Sequence, residues 1–409
     1  MPPPYPDLLG SIDWLTIVSI PLVTGLVGWF TNWLAIEMMF RPLKRRGVGV
    51  LGWHGVIPSR APKMAQICVD TMTERLITAQ ELVNRIDPSA VSDIVAPELG
   101  RRSERIVEEV VRARYPALWN TMPLTLRDKT LSRMKAEVPG VVTAMTNDVR
   151  HDADELVDLR EMVISAFTNN VALLCELFRR CGGEEFRFIA RCGLGFGLLF
   201  GGVQLVIWLI VQPWWFLPVT GAIVGWATNW LALRMVFKPL HPKRMFFVTW
   251  HGLFLKRQNE VADEYARFFA SQILRAETLM DAVLRGPASD RLFAMVHRHI
   301  SRAVDEVAGP GRPVMQFVVG TRRYVELKDA ICDRVAAEIP AAARRMHAYA
   351  DEALDIESTL RDRLQALPAE QFEQVLHPVF EEDEWLLIAV GAALGFVAGC
   401  IQLAVVTFF

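Results

Sequence analysis

The chain lacks the residue patterns that mark most catalytic and metal-binding sites. Its six cysteines include no CxxC pair, which excludes a zinc ladder and is typical of free thiols in a reducing compartment. It contains no phosphate-binding loop, no zinc-ligand spacing and no nucleophile elbow. The formal net charge is only −2, so the basic field of nucleic-acid-binding proteins is missing. We therefore expect no catalytic residues, no metal, no cofactor and no nucleic-acid partner.

Charge is also scarce in four long stretches of the chain. Hydrophobic residues make up 52% of the sequence and charged residues 22%, a mixture typical of polar domains interrupted by membrane spans. A bilayer core requires about 20 mostly apolar residues in a helix. This length predicts transmembrane helices at residues of about 14–40, 188–211, 214–237 and 385–409. The lipid bilayer is thus the first expected partner.

The distribution of lysine and arginine predicts the orientation of these helices. Basic residues follow the first and third spans and precede the second, whereas residues 1–13, the turn at 212–213 and the C-terminus contain none. The N-terminus therefore also lacks the basic region of a signal peptide. Because Lys and Arg stay on the cytoplasmic side, we expect both termini outside and two long inserts, at about 64–185 and 261–383, in the cytoplasm.

One segment of the sequence occurs twice. Between Pro21 and Ala65, 18 of the 45 positions are identical to the residue found 197 positions later. Internal repeats determine architecture, so this one predicts a duplicated membrane protein. The identical pairs include Gly28 and Gly225, Thr31 and Thr228, Asn32 and Asn229, Trp53 and Trp250, and His54 and His251.

The closing span of each half repeats as well. Glycines spaced by four residues precede a glutamine in both copies: Gly193, Gly197, Gly201 and Gln204 in the first, and Gly391, Gly395, Gly399 and Gln402 in the second. Small residues on one face let another helix approach closely, so we interpret both ladders as packing surfaces.

These patterns predict an all-α membrane protein built from two parallel repeats, residues 1–212 and 213–409. Each repeat is a span, a helical cytoplasmic insert and a second span. Because both halves enter the membrane in the same direction, their pseudo-twofold axis should follow the membrane normal.

The inserts have the pattern of amphipathic helices. Apolar residues recur at spacings of three and four, as from Ile106 to Val111. Asp87-Pro88, Tyr115-Pro116 and Gly286-Pro287 predict breaks between helices. We interpret the apolar stripes as surfaces for helix packing, with a partner-binding groove as the alternative.

Six of the polar residues inside the predicted spans are candidates for a functional role. A hydrogen bond between helices in lipid stabilises by about 0.6–2 kcal/mol, so these side chains are expected to join helices. The alternative is that they line a polar path or contact lipid headgroups. They are Thr31, Asn32, Thr228 and Asn229 toward the cytoplasmic ends, and Gln204 and Gln402 nearer the outer ends.

Further candidates lie at the cytoplasmic boundary. Glu37 and Arg234 occupy equivalent repeat positions with opposite charge, which leads to the hypothesis of an ion pair; two separate side chains that extend to water are the alternative. Two apolar segments after the first and third spans are too short to cross a bilayer, so we expect interfacial loops or shallow helices there. Their aromatic and imidazole side chains are Trp53, His54, Trp250 and His251.

These signatures resemble those of a known family. The segments Thr31–Pro42 and Gly55–Arg60 are similar to the opening signature of the YheB-like membrane proteins (domain of unknown function 445), and the glycine ladders are similar to its closing signature. Two positions depart from the family pattern: Glu37 stands in place of a usual Lys, and Leu255 in place of an expected Pro. The resemblance implies a bacterial inner-membrane protein, which the internal repeat indicates is present here as a tandem duplication. It implies no activity.

Two functions fit the sequence. The first is a membrane-anchored helical scaffold that presents its inserts to a protein partner or to the envelope machinery; the large inserts and the few deep charges favour it. The alternative is a small-solute or lipid transporter or channel, which the paired asparagines favour. Four spans are few for a transporter, so that function would require a homo-oligomer. An enzyme that acts on lipid ranks last, because no acid–base or metal-binding group converges.

Overall fold

The structure is a computed structural model that describes residues 14–47, 52–210, 213–239, 243–245, 248–250, 252–309, 316, 320–374 and 384–408. These ranges are mostly helical, as predicted. Residues 369–374 are also helical, and a π-helical turn, Phe269–Ile273, follows α14. The helices are α1 (Trp14–Phe40), α2 (Val56–Ser59), α3 (Ala61–Arg75), α4 (Ala79–Asn84), α5 (Pro88–Arg114), α6 (Pro116–Thr121), α7 (Leu124–His151), α8 (Ala153–Leu156), α9 (Leu159–Asn169), α10 (Val171–Cys181), α11 (Gly183–Ile210), α12 (Phe216–Phe237), α13 (Leu253–Lys256), α14 (Gln258–Phe268), α15 (Ala276–Arg285), α16 (Ser289–Ala308), α17 (Thr321–Ala336), α18 (Ile339–Arg344), α19 (His347–Leu354), α20 (Ile356–Ala366) and α21 (Glu384–Phe408).

Two short strands, β1 (Lys243–Met245) and β2 (Val248–Trp250), form an antiparallel hairpin. The corresponding segment of the first half contains an isolated bridge between Arg46 and Trp53, with N···O distances of 2.9 and 2.7 Å. The described residues of the two segments, predicted as interfacial loops or shallow helices over residues 47–57 and 245–254, thus show short extended pairing followed by the short helices α2 and α13. Aromatic and β-branched residues in the second copy favour strands, and glycines at 47, 49 and 52 in the first copy disfavour a helix.

Prolines begin two of the insert helices. Asp87 precedes Pro88 and caps α5, its carboxylate accepting the Ser89 N–H at 3.0 Å. Pro116 begins α6, and α15 ends just before Gly286-Pro287. A proline at the first helical position has no N–H to leave unpaired. The three predicted breaks are confirmed.

Among the residues that the structure describes, three helical segments are long and apolar enough to cross a membrane: Ile17–Phe40, Gly183–Ile210 and Phe216–Val236. Helix α21 adds a shorter apolar stretch, Ile388–Ala404, and the segments Ala153–Asn169 and Val171–Cys181, which meet at 97°, together reach the same apolarity. Large apolar side chains are exposed on α1, α11, α12 and α21. Continuous apolar surface of this kind is stable against lipid rather than water, which agrees with the predicted membrane location.

The chain forms two compact units. The first consists of Met1–Met72, Val163–Arg267 and Leu360–Phe409, and the second, here called the lobe, of Thr73–Met162 and Phe268–Thr359. Each unit takes segments from both halves of the chain. The predicted repeat boundary between residues 212 and 213 is thus a different division, and it stays a prediction.

The first unit is organised around two helix pairs. Helix α1 packs along α11, and α12 packs along α21; α11 also contacts α12, and α1 contacts α21. Outside the apolar helices, Cys68 on α3, Cys181 on α10 and Tyr265 on α14 are fully buried. Burial raises the pKa of the Cys68 thiol to about 12 and also raises the pKa values of Cys181 and Tyr265. These thiols are therefore neutral packing groups rather than reactive ones.

The lobe is one helical body made from the central parts of both predicted inserts, whereas residues 163–185 and 360–374 of those inserts belong to the first unit. Helices α5 and α7 from the first insert pack with each other and with α17 and α16 from the second. Ion pairs cross between the inserts, including Arg102 with Glu338 and Arg334 with Glu109. The Arg85 guanidinium donates to Leu354 O at 2.8 Å. Neither insert is a separate globule within the described residues.

Candidate functional site in the apolar helices

Each glycine ladder lies against the backbone of a partner helix. A Cβ atom added at Gly197 would be 2.7 Å from Thr24 O on α1, and one added at Gly391 would be 2.8 Å from Gly225 O on α12. Real Cβ atoms do not approach other heavy atoms this closely. Glycine is therefore required for the observed distance between the helices.

The two pairs touch at equivalent positions of the sequence repeat. Gly201 on α11 lies against Pro21, and Gly399 on α21 lies against Pro218. Gly193 meets Gly28 in the same way that Gly391 meets Gly225, and Gly395 meets Gly221. All six ladder glycines are thus packing residues in the structure.

The duplicated asparagines are buried at these contacts. Asn32 is 1% exposed, and its Nδ2 donates to Ile189 O on α11 at 2.8 Å. Asn229 is 3% exposed, and its Cγ would be 2.8 Å from a Cβ at Gly391. The neighbouring threonines bond within their own helices, Thr31 to Gly28 O at 3.1 Å and Thr228 to Gly225 O at 3.3 Å. The first asparagine therefore joins two helices, whereas the threonines do not.

A second polar group connects three helices through Gln204. Its Nε2 donates to Thr220 Oγ1 on α12 at 2.8 Å, and its Oε1 lies 3.2 Å from the Thr24 hydroxyl on α1. Thr220 in turn donates to Phe216 O at 2.7 Å. Gln402 is also buried, but its Nε2 has no hydrogen-bond acceptor among the described residues.

Small cavities lie between the described residues of these helices. One of about 30 Å³ is lined by Asn32, Asn229 and Glu185 among apolar side chains. Another, of about 20 Å³, is lined by Thr24, Thr31, Gln204 and Gln402. Asn32 Oδ1 has no donor among the described residues. A cavity of 10–15 Å³ or more accommodates about one water, so both spaces are large enough for water.

A buried ion pair at the start of α11 was missed at the sequence level. Glu185 is 3% exposed, and Arg257 Nη1 lies 2.9 and 3.0 Å from its two carboxylate oxygens. Arg257 Nε also bonds Glu260 at 2.7 Å. Two features of the sequence indicate this pair. Glu185 lies eight residues before Gly193 and so falls on the face of α11 that carries the glycine ladder, and Arg257 occupies the same repeat position as Arg60. The pair links α11 to the segment that follows α12.

The hypothesis of a Glu37–Arg234 ion pair is wrong. Glu37 accepts from Arg179 at 3.0 Å and is 3.8 Å from Arg41. Arg179 also lies 4.8 Å from the centre of the Phe40 ring. Arg234 instead lies 5.0 Å from the ring centre of Trp230 on its own helix. Arg179, at the end of α10, is the cation nearer to Glu37. The positive charge of Arg234 is stabilised instead by the face of the Trp230 indole.

The interfacial candidates are only partly described. Trp53 takes part in the backbone bridge to Arg46, and His54 Nε2 lies 3.0 Å from Leu43 O. The Trp250 backbone belongs to β2, and His251 lies outside the described residues. Among the described residues, no three His, Cys, Asp or Glu side chains come together as metal ligands would.

Substitution of a ladder glycine tests the close approach. We expect Gly197→Leu to destabilise the protein by about 1–3 kcal/mol or more, because a side chain there must separate two backbones. Thermal unfolding in detergent measures the loss. Gly195→Leu is the matched control, since a Cβ at Gly195 meets nothing within 4 Å. Equal effects of the two substitutions would contradict the packing role.

Neutralisation of each partner in turn tests the buried ion pair. We expect Arg257→Gln to cost about 3–5 kcal/mol, because Glu185 then keeps an uncompensated buried charge. Glu185→Gln should cost less, since Arg257 retains Glu260. The double variant should be less destabilised than the sum of the singles, as measured by denaturation in detergent. The exposed pair Arg187 and Glu184 provides the control, with an expected effect below about 1 kcal/mol.

The comparisons with known proteins fit the membrane character of these helices. No family model and no solved structure matches the chain. It is 21% identical over 440 residues to the UPF0754 membrane protein of Synechococcus sp. (strain JA-3-3Ab), covering 95% of this chain and 98% of that relative. Shorter matches are 37% identical over 79 residues, 19% of each chain, in Thermosynechococcus vestitus, and 32% identical over 93 residues in Bacillus pumilus, 22% of this chain and 25% of the relative. Over nearly its whole length the chain is therefore similar to membrane proteins named UPF0754.

Proposed function

We propose that the chain is a UPF0754-type, domain-445 protein of the bacterial inner membrane, in which four apolar helices form an anchor and the two inserts form a cytoplasmic scaffold that binds a partner. The observation that carries this proposal is the contrast between the two units. The apolar helices touch backbone to backbone, and the two cavities lined by their polar side chains measure about 20 and 30 Å³. The central parts of the two inserts, by contrast, combine into one helical lobe.

The interior of the apolar helices supports anchoring over transport. A pathway for a solute requires space and polar groups that are free to bind it. Here Asn32 bonds Ile189 O, and Gln204 bonds Thr220, so the main polar side chains hold helices together. The charged side chains of α1 and α12, Glu37 and Arg234, lie near the ends of their helices, away from mid-depth.

The equivalent glycine contacts support a parallel duplication. Each half contributes one helix with an asparagine and one helix with a glycine ladder, and these two helices pair. A fused duplicate whose halves enter the membrane in the same direction has this arrangement. The fourth span of the proposal is α21.

Reporter fusions test the topology. Alkaline phosphatase is active only outside the cytoplasm. We expect a fusion after Phe409 to be active and fusions within α7 or α16 to be inactive, because basic residues flank the inserts and are missing from the C-terminus. A cytoplasm-active reporter at the same sites is the control and should give the opposite pattern. An inactive phosphatase at the C-terminus together with an active one in α7 would overturn the proposal.

A small-solute or lipid transporter that functions as a homo-oligomer is the second candidate. Two buried polar atoms without partners among the described residues, Asn32 Oδ1 and Gln402 Nε2, favour it. The two functions make different predictions for the pair Asn32→Ala and Asn229→Ala. For an anchor we expect the double variant to unfold at a lower temperature than the wild type. Proteoliposomes with either protein should leak potassium and a fluorescent lipid no faster than protein-free vesicles. A flux that the wild type produces and the variant abolishes would select the transporter.

A further inference from the structure

The lobe contains an apolar cavity of about 200 Å³ that the sequence did not predict. It lies between both inserts: α4, α5 and α7 from the first, and α15, α18 and α19 from the second. Leu82, Val95, Val142, Leu279 and Met346 are among the residues that line it. Every lining residue belongs to the lobe, so the cavity is a property of that unit alone.

The size of this space distinguishes it from a packing defect. Protein interiors are close-packed, with few voids larger than a water molecule. An apolar cavity of about 150 Å³ is large enough to take up benzene. This space is partly open to the surface, so its apolar lining is stabilised when an apolar occupant covers it and removes it from water. A lobe that keeps about 200 Å³ open is therefore suited to an occupant.

The lining restricts the chemistry of that occupant. Thr146 contributes the one hydroxyl among the described lining residues, and none of these residues is charged. Desolvation of a carboxylate or phosphate in such a space has no compensating partner. Met145, Met280 and Met346 also line the cavity, and flexible thioethers adapt to variable apolar shapes.

The neighbouring cleft supplies no spare cation. It shares Val95, Leu99 and Ala342 with the cavity and contains two arginines and two glutamates. Arg102 pairs with Glu98 at 2.8 Å and also with Glu338, and Arg345 pairs with Glu98. The four charges cancel, so this cleft does not favour a free fatty acid over a neutral ligand.

We propose that the lobe binds one ester-linked acyl chain of a membrane lipid in this cavity. The proposal rests on the proposed function, because a membrane-anchored protein is constantly exposed to lipid chains. Those chains are uncharged, flexible and apolar, as the lining requires. The partner that the scaffold presents or receives would then be a lipid.

Photolabelling of the full chain in nanodiscs tests this proposal. The first probe is a phosphatidylcholine with a diazirine in one acyl chain, and the second is free palmitate with the same diazirine. After irradiation, mass spectrometry locates the adducts. We expect the phosphatidylcholine probe to label peptides that contain Met145, Met280 or Met346, in addition to the apolar helices, and free palmitate to label them at least several-fold less.

A cavity-filling variant provides the matched comparison. We expect Met280→Trp to reduce labelling of these lobe peptides at least fivefold while labelling of α1 and α11 is unchanged. Leu124→Trp is the control, since Leu124 is an exposed residue of the lobe that does not line the cavity. If Met280→Trp lowers the unfolding temperature strongly, the smaller change Ala343→Leu takes its place.

Three results would overturn the proposal: adducts confined to the apolar helices, lobe adducts that neither filling variant reduces, or stronger labelling by free palmitate than by the phospholipid. The reporter fusions are independent of this assay. Correct topology without lobe adducts would refute the lipid site alone, whereas reversed topology would refute the scaffold.

Discussion

Contact between helix backbones along two glycine faces is the constraint on which the first unit depends. In lipid, helices gain nothing from hiding apolar surface, so close packing and interhelical hydrogen bonds must hold them together. The approach at Gly197 and Gly391 brings backbone carbonyls within reach of the neighbouring helix. Asn32 can bond Ile189 O only because α1 and α11 lie this close. The small cavities and the buried amide hydrogen bonds thus both follow from the short distance between the paired helices.

The lobe is held together by different forces, which explains why its interior differs. Its helices are amphipathic, and their apolar faces are driven together by water rather than by lipid packing. Valines from α5 and α7 form a core cluster against which Ala342 and Met346 from the second insert pack. Ion pairs such as Arg102–Glu338 fix the inserts at the surface. Between these contacts lies the apolar cavity that we propose as the site of an acyl chain.

Three features could be predicted because each depends on residues that are close together in the sequence. They are the apolar helices, the glycine faces and the breaks at proline. An apolar length of about 20 residues, a glycine at every fourth position and a proline after Asp or Tyr are each a property of a single helix. The partner of Glu37 could not be predicted, because Arg179 comes from a distant part of the chain. The sequence repeat predicted Arg234 as the partner of Glu37, because the two residues occupy equivalent positions. Equivalence in the repeat does not by itself bring two side chains together. The buried Glu185 and the lobe cavity likewise depend on contacts between distant segments.

The mixed origin of the lobe has a consequence for biosynthesis. Residues 73–162 leave the ribosome long before residues 268–359, which supply the other side of the same core. At about 5–20 residues per second, the first insert waits roughly 10–40 s with its valine faces uncovered. During that interval α11 and α12 must be synthesised and inserted. The order of translation therefore leaves the apolar helix faces of residues 73–162 without their partners until residues 268–359 have been made.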